Sequence, residues 1–303
     1  MFNKLIAQTL PYFPKKFVWL FSKKYIAGET IDEAILASQQ LNEKDISITV
    51  DLLGEFITNL DEAKANKDQY LEIIKQFELK KIRGNYSLKP TSFGLLLDKD
   101  TCYNYIREIV AKAAEHDNFV RIDMEDSPCV DLEIELLRKL KAEFPKNVGL
   151  VVQAYLKRTA QDLVDMMDLH TDEAPVNYRL CKGIYVEPKE IAYKEYEEIN
   201  AKFLENLEYL LLNKAYVGIA THDRPVVKGA MEIIKKHNIP NDQFEFQMLY
   251  GVTPELRKEI QDAGFKMRVY VPYGKEWFGY STRRLKENPK MANHIIKSLF
   301  VKG

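Results

Sequence analysis

Two arginines stand side by side near the C-terminus, Arg283 and Arg284, in the run YSTRRLKEN from Tyr280 to Asn288. A guanidinium is a planar fork of donors that matches a carboxylate or a phosphate edge-on. Neighbours on a helix point about 100° apart, so the pair could close on one anion from two directions. Glu287 follows at i+4 from Arg283 and i+3 from Arg284, which equally allows an exposed ion pair worth only about 0–1 kcal/mol. What lies beneath that helix decides between the two.

Other chemistry-bearing residues sit inside apolar runs. In chain order the runs are ISITVDLLGE, NYSLKPTSFG, FVRIDMED, NVGLVVQAY, NYRLCKGIY, YVGIATHD, FEFQMLYG and KMRVYVPYG. Lys89 falls in the second, Asp123 in the third and Gln153 in the fourth. Arg179 and Lys182 fall in the fifth, Thr221 and His222 in the sixth, Glu245 and Gln247 in the seventh, and Tyr270 in the eighth. A polar group in an apolar strand costs free energy unless it is paired or used. A polar group in seven of the eight runs reads as a lined pocket.

Arg179 and Lys182, with Gly183 permitting close backbone approach, suit an electropositive ligand wall. A lysine there also suits a Schiff-base nucleophile, and either cation could instead pair with Asp123. Strand residues alternate faces, which assigns Asp123 to the pocket and leaves Glu125 and Asp126 to cap the helix that starts near Pro128. His222 has no second histidine at a neighbouring strand end, so no metal site is expected.

Elements must hold these residues in place. Between the runs lie charged segments such as DEAKANKDQYLEIIKQFELKK and PKEIAYKEYEEINAKFLENLEYLLLNK. Their apolar residues recur at i, i+3, i+4 and i+7, the helical period. Eight strands of nearly continuous apolar character, each followed by a helix, predict an α/β fold of the (β/α)8 TIM-barrel type. An open doubly wound sheet is the alternative. The expected layout is a single catalytic domain over residues 1–303, with a helical segment at 1–44 and the barrel at 45–303. The last helix, carrying Arg283, Arg284 and Glu287, would lie over the barrel mouth, where the strand C-termini build active sites.

Composition narrows the class. The 44 basic and 45 acidic residues nearly cancel, leaving no global field to attract nucleic acid. Cys102, Cys129 and Cys181 show no CxxC or Cys/His spacing, which argues against a disulfide framework or zinc site and fits a reducing compartment. None of the 13 glycines forms a GxG, and there is no GxxxxGK[ST] or HExxH, so any nucleotide must be held by other means. The N-terminal stretch mixes aromatics with Lys4, Lys15, Lys16, Lys23 and Lys24. It lacks the h-region and cleavage site of a signal peptide. It reads either as a helix packed on its own domain or as a basic amphipathic helix touching lipid.

The ordered series YIAGETIDEAI, DLLGE, SLKP, RIDMED, VVQAY, RLCKGIY, ATHD, FEFQMLYG, RVYVPYG and YSTRRLKEN resembles the monofunctional bacterial proline dehydrogenases over nearly the whole chain. The resemblance implies an FAD-dependent barrel that oxidises L-proline to Δ1-pyrroline-5-carboxylate by hydride transfer to the flavin. Electrons would pass to a membrane quinone, from a cytoplasmic protein in peripheral contact with the membrane's inner face. By position, Arg283, Arg284 and Lys89 resemble the family's carboxylate clamp, Glu287 the residue closing the substrate pocket, and Tyr270 the tyrosine packed on the proline ring. Asp123 and Arg179 match its catalytic centre, with Arg179 near flavin N5. Met124, Gln153, Lys182, Gly183, Ile184, Thr221 and His222 match its flavin contacts. Pro90, directly after Lys89, departs from the pattern and would bend the strand end. The residues alone also admit a Schiff-base lyase or aldolase using Lys182 or Lys89, a flavin barrel fed by a nicotinamide donor as in methylenetetrahydrofolate reductase, and a ligand-binding barrel without turnover.

Overall fold

Helix starts are written into the chain. Thr30 accepts the Glu33 amide, and the Glu33 carboxylate accepts the Thr30 amide in return at 2.9 Å, a capping box that opens α1 (Ile31–Asn42). Asn59 and Asp98 cap α2 (Leu60–Leu79) and α3 (Lys99–Ala114) through their side chains. The computed structural model describes residues 18–19, 22–54 and 57–281.

After α1 come β1 (Ser47–Leu52), α2, β2 (Gly84–Leu88), α3, β3 (Val120–Ile122), α4 (Val130–Glu143) and β4 (Val148–Gln153). Then follow α5 (Thr159–Asp165), β5 (Asn177–Cys181), α6 (Tyr196–Leu212), β6 (Tyr216–Ala220), α7 (Arg224–Lys236), β7 (Phe244–Leu249), α8 (Pro254–Asp262) and β8 (Met267–Tyr273). The strands pair in parallel in chain order, and β8 returns to β1 with Thr49 opposite Tyr270, closing the barrel. The doubly wound alternative is thereby excluded.

Strand faces divide the labour. Ile48, Val50, Leu88, Ile122, Leu150, Leu180, Ile219, Phe246 and Val269 are fully buried in one core cluster with Phe77, Ile106, Leu137, Leu207 and Val226 of the helices. Each such side chain contributes about 1.5–3 kcal/mol. The opposite face is not the apolar filling common in such barrels. It carries Thr49, Asp51, Ser87, Arg121, Asp123, Arg179, Glu245 and Gln247, all polar and nearly all buried. The strands therefore alternate, and the nearly continuous apolar pattern expected of them holds on their helix-facing side alone.

Most of these polar groups are paired within the barrel, Arg121 Nε being buried without a partner. Arg121 donates from Nη1 to the Asn177 carbonyl at 2.6 Å and lies over the Phe119 ring at 4.7 Å. Gly149 leaves it room, since a Cβ there would come within 2.7 Å of that nitrogen. Arg268 donates from Nε to Glu245 Oε1 at 2.5 Å and from Nη1 to the Ile48 carbonyl at 2.7 Å. The barrel floor is closed by hydrogen-bonded charge.

Directly after β8 a helical turn spans residues 277–281, with Ser281 Oγ donating to the Trp277 carbonyl at 2.8 Å. Arg283, Arg284 and Glu287, and Lys4, Lys15 and Lys16 of the N-terminal segment, lie outside the described residues. Among the described residues no helix is long and apolar enough to cross a membrane.

Candidate active site

A cleft of about 830 Å³ opens at the C-terminal ends of the strands. Lys89, Asp123, Met124, Gln153, Arg179, Lys182, Gly183, Ile184, Thr221, His222 and Tyr270 all line it. The barrel brings these sequence-predicted residues together at one mouth, with Gln247 beside them.

Asp123 is the hub. Its Oδ1 accepts from Arg179 Nη1 at 2.9 Å and Ser87 Oγ at 2.6 Å. Its Oδ2 accepts from the Tyr270 hydroxyl at 2.8 Å and lies 3.4 Å from Lys89 Nζ. Burial alone pushes the Asp123 carboxyl up, but Lys89 and Arg179, with the two hydroxyl donors, outweigh it and hold the acid below the usual range. Burial and then the charge of Asp123 push the Tyr270 phenol well above its usual value, so it stays a donor. Arg179 lies 5.1 Å from the Tyr270 ring centre, a cation over an aromatic face.

The second flank carries different equipment. Lys182 pairs with Asp223 and lies 4.6 Å from the Tyr196 ring centre. The Leu249 amide donates to His222 Nε2 at 2.8 Å, so Nε2 is the bare nitrogen and Nδ1 carries the proton. Gly183 has φ +111°, and a Cβ there would meet the Tyr155 ring at 2.0 Å. The Gly183 backbone, packed on Tyr155, lines the cleft together with the apolar Val151, Ile184 and Leu249. Backbone cradle, cations, an oriented imidazole and flat apolar walls are a donor set that fits a flavin nucleotide. Among the described residues no cluster could hold a metal ion.

Comparison with known proteins covers nearly the whole chain. A proline dehydrogenase family model matches residues 34–297. The chain is 36% identical over 296 residues to proline dehydrogenase 1 of Bacillus subtilis, covering 97% of this chain and 96% of that protein. It is 34% identical over 286 residues to the proline dehydrogenase of Deinococcus radiodurans, covering 93% and 91%. The chain belongs to the proline dehydrogenase family. Its barrel superposes on proline utilization A from Bdellovibrio bacteriovorus, inactivated by N-propargylglycine, with a TM-score of 0.83 and 27% identity. That match covers 89% of this chain and 33% of the larger protein. Family membership supports proline dehydrogenase activity, an oxidoreductase function.

Several features of this cleft escape a sequence reading. Asp51 holds Lys89 Nζ at 3.2 and 3.3 Å from its two oxygens. Its signal was available, an aspartate in the apolar run ITVDLL of the strand without an assigned polar residue. Asp223 was available likewise, next to His222. Glu245 does not line the cleft; it lies below, bound to Arg268. Pro90 does not displace Lys89: the lysine stays extended at φ −107°, ψ 120°, and the proline opens a 3-10 turn at Pro90–Phe93.

Glu125 caps that turn rather than the helix following it in sequence. It accepts the Thr91 amide at 2.9 Å and the Thr91 hydroxyl at 2.5 Å. At the start of α4, Cys129 is the N-cap and makes no side-chain cap bond. The reason is lateral: β2 and β3 pair with Leu88 opposite Ile122, so the β3 loop reaches the β2 turn before its own helix.

Glu133 closes this cluster by accepting the Glu125 amide at 2.9 Å while its other oxygen has no partner. Burial, then the Glu125 charge, push its carboxyl well above the usual range. A folded acid with a raised pKa loses stability as pH rises above its unfolded value. Glu133→Gln is therefore expected to melt higher than the wild type at pH 8, by at least about 2 °C, or roughly 1 kcal/mol, with the gap closing at pH 5. Thermal melts at both pH values check this, and a pH-independent difference contradicts it.

Proposed function

We propose that this chain is an FAD-dependent proline dehydrogenase, a single catalytic domain that oxidises L-proline to Δ1-pyrroline-5-carboxylate and passes electrons to a membrane quinone. The observation that carries the reading is one cleft joining Lys89, Asp123, Arg179 and Tyr270 to the Gly183 cradle, in a chain similar end to end to proline dehydrogenases. Met124, Gln153, Lys182, Gly183, Ile184, Thr221 and His222 would hold the flavin. When bound, FAD supplies the hydride acceptor.

The residues of the chain do the rest by positioning and charge. Lys89 and Arg179 face Asp51 and Asp123, so the cleft floor is charge-balanced before any substrate arrives. An amino-acid carboxylate then needs further cations. Arg283 and Arg284 follow the end of β8 by ten and eleven residues, which suits them to complete a clamp with Lys89, and Glu287 to close it. Tyr270 offers its ring to the proline and keeps its hydroxyl on Asp123. Asp123 orients Arg179 and stays ionised.

A Schiff-base reaction finds less support. Lys89 sits between two carboxylates and Lys182 against one, and an ion-paired ammonium has no lone pair with which to attack a carbonyl.

The test is an anaerobic visible spectrum of the purified protein before and after adding L-proline. Bound flavin that bleaches, at a rate rising with pH as the neutral amine fraction grows, is the expected result. A protein that takes up no FAD, or whose flavin proline leaves oxidised, ends the proposal.

A further inference from the structure

Arg179 is tied on two sides. Nε donates to Gln247 Oε1 at 2.6 Å, and Nη1 donates to Asp123 Oδ1 at 2.9 Å and to Ser87 Oγ at 3.1 Å. Nη2 makes no hydrogen bond among the described residues. Gln247 is itself oriented from the far side: its Nε2 donates to Glu245 Oε1 at 2.7 Å, and the same oxygen accepts from Arg268 Nε at 2.5 Å. An amide between a guanidinium and a carboxylate has one satisfied orientation, oxygen to the cation and nitrogen to the anion.

The space for this amide is also provided. β6 and β7 pair with Ala220 opposite Gln247, and a Cβ on Gly218 would lie 2.3 Å from Gln247 Nε2. Glu245 and Gln247 are 4% and 5% exposed. In such a dry interior a fully paired polar chain is rigid.

We infer that Gln247 is a positioning residue for proline oxidation: it fixes the Arg179 guanidinium so that Nη2 remains for the bound ligands, and as a neutral amide it keeps the Glu245 charge off Arg179. The inference rests on the cleft being the flavin and proline site. A carboxylate at 247 would still reach Arg179, but it would add an anion beside the cofactor and repel Glu245. The amide couples two charge-balanced groups, Arg179 with Asp123 and Arg268 with Glu245, without disturbing either.

Three variants of the FAD-loaded protein test this. Gln247→Met keeps the volume and removes both hydrogen bonds; Gln247→Glu keeps the shape and adds a charge; Gly218→Ala leaves residue 247 intact and pushes its amide aside. The readouts are kcat and KM for L-proline, the midpoint potential of the bound flavin, and the melting temperature. Gln247→Met and Gly218→Ala are expected to lose about tenfold to a hundredfold in kcat with KM for proline nearly unchanged. Gln247→Glu is expected to move the potential negative by about 30 mV, a tenfold change for a two-electron couple. Variants that are bleached by proline with wild-type kcat and potential, and differ only in melting temperature, overturn the inference and leave Gln247 a scaffold residue. A wild-type protein that takes up no flavin overturns the functional reading and this inference with it.

Discussion

Asp123→Ala is expected to lower stability by about 3–5 kcal/mol and proline oxidation by at least about a hundredfold. The carboxylate serves two cations at once, Arg179 at 2.9 Å and Lys89 at 3.4 Å, and accepts from Ser87 and Tyr270 besides. Its loss leaves Arg179 buried at 7% exposure without its counter-charge. A hydrogen bond to a charged group is worth roughly 1.5–3 kcal/mol, and about 2.7 kcal/mol of lost transition-state stabilisation at the reacting centre is a hundredfold in rate. Asp123→Asn keeps the shape and should fall between the two.

The pH dependence of that loss has a definite sign. The folded carboxyl is held below the ordinary aspartate value of about 3.9, so its contribution is complete above that pH. It disappears as pH falls through the folded value and the native carboxyl takes a proton. Urea unfolding of wild type and Asp123→Asn at pH 7 and at progressively lower pH should show a stability gap that closes in acid. A gap that persists unchanged would mean that charge is not what Asp123 contributes.

Gly183→Ala is expected to abolish stable FAD binding while leaving a folded barrel. At φ +111° a side chain is strained by about 1–3 kcal/mol. The added methyl would also lie 2.0 Å from the Tyr155 ring, and overpacking costs a further 1–3 kcal/mol or so. Tyr155 cannot retreat easily, because its amide donates to the Lys182 carbonyl and its own carbonyl accepts the Tyr193 amide, both at 2.8 Å. The displaced element is then the Lys182–Ile184 stretch itself. Gel filtration of the variant with excess FAD should return a colourless, folded protein. Gly183→Ala/Tyr155→Ala should recover part of the binding, since it relieves the clash but not the backbone strain. A single variant that elutes with stoichiometric flavin would show that the close approach is not used by the ligand.

Much of this site was legible before any fold was known. Strands and helices announce themselves through local periods, and each of the eight apolar runs became a strand. Polar residues at the run ends stood out because nothing in an apolar strand explains them. Placing them at one mouth needed only the parallel order of a closed barrel. The resemblance carried by motifs such as RLCKGIY and ATHD added the assignment to a family, which local chemistry could not.

Tertiary structure decided the partners. Asp51 meets Lys89 because β1 lies beside β2, Glu125 caps a turn on β2 rather than the helix after it, and Gln247 stands between Arg179 and Glu245. Alternation along a strand assigns a side chain to a face. Its height in the barrel, and so which neighbour it reaches, follows from how adjacent strands are staggered when the sheet closes, and that stagger is a property of the whole ring of strands, not of any one stretch of sequence.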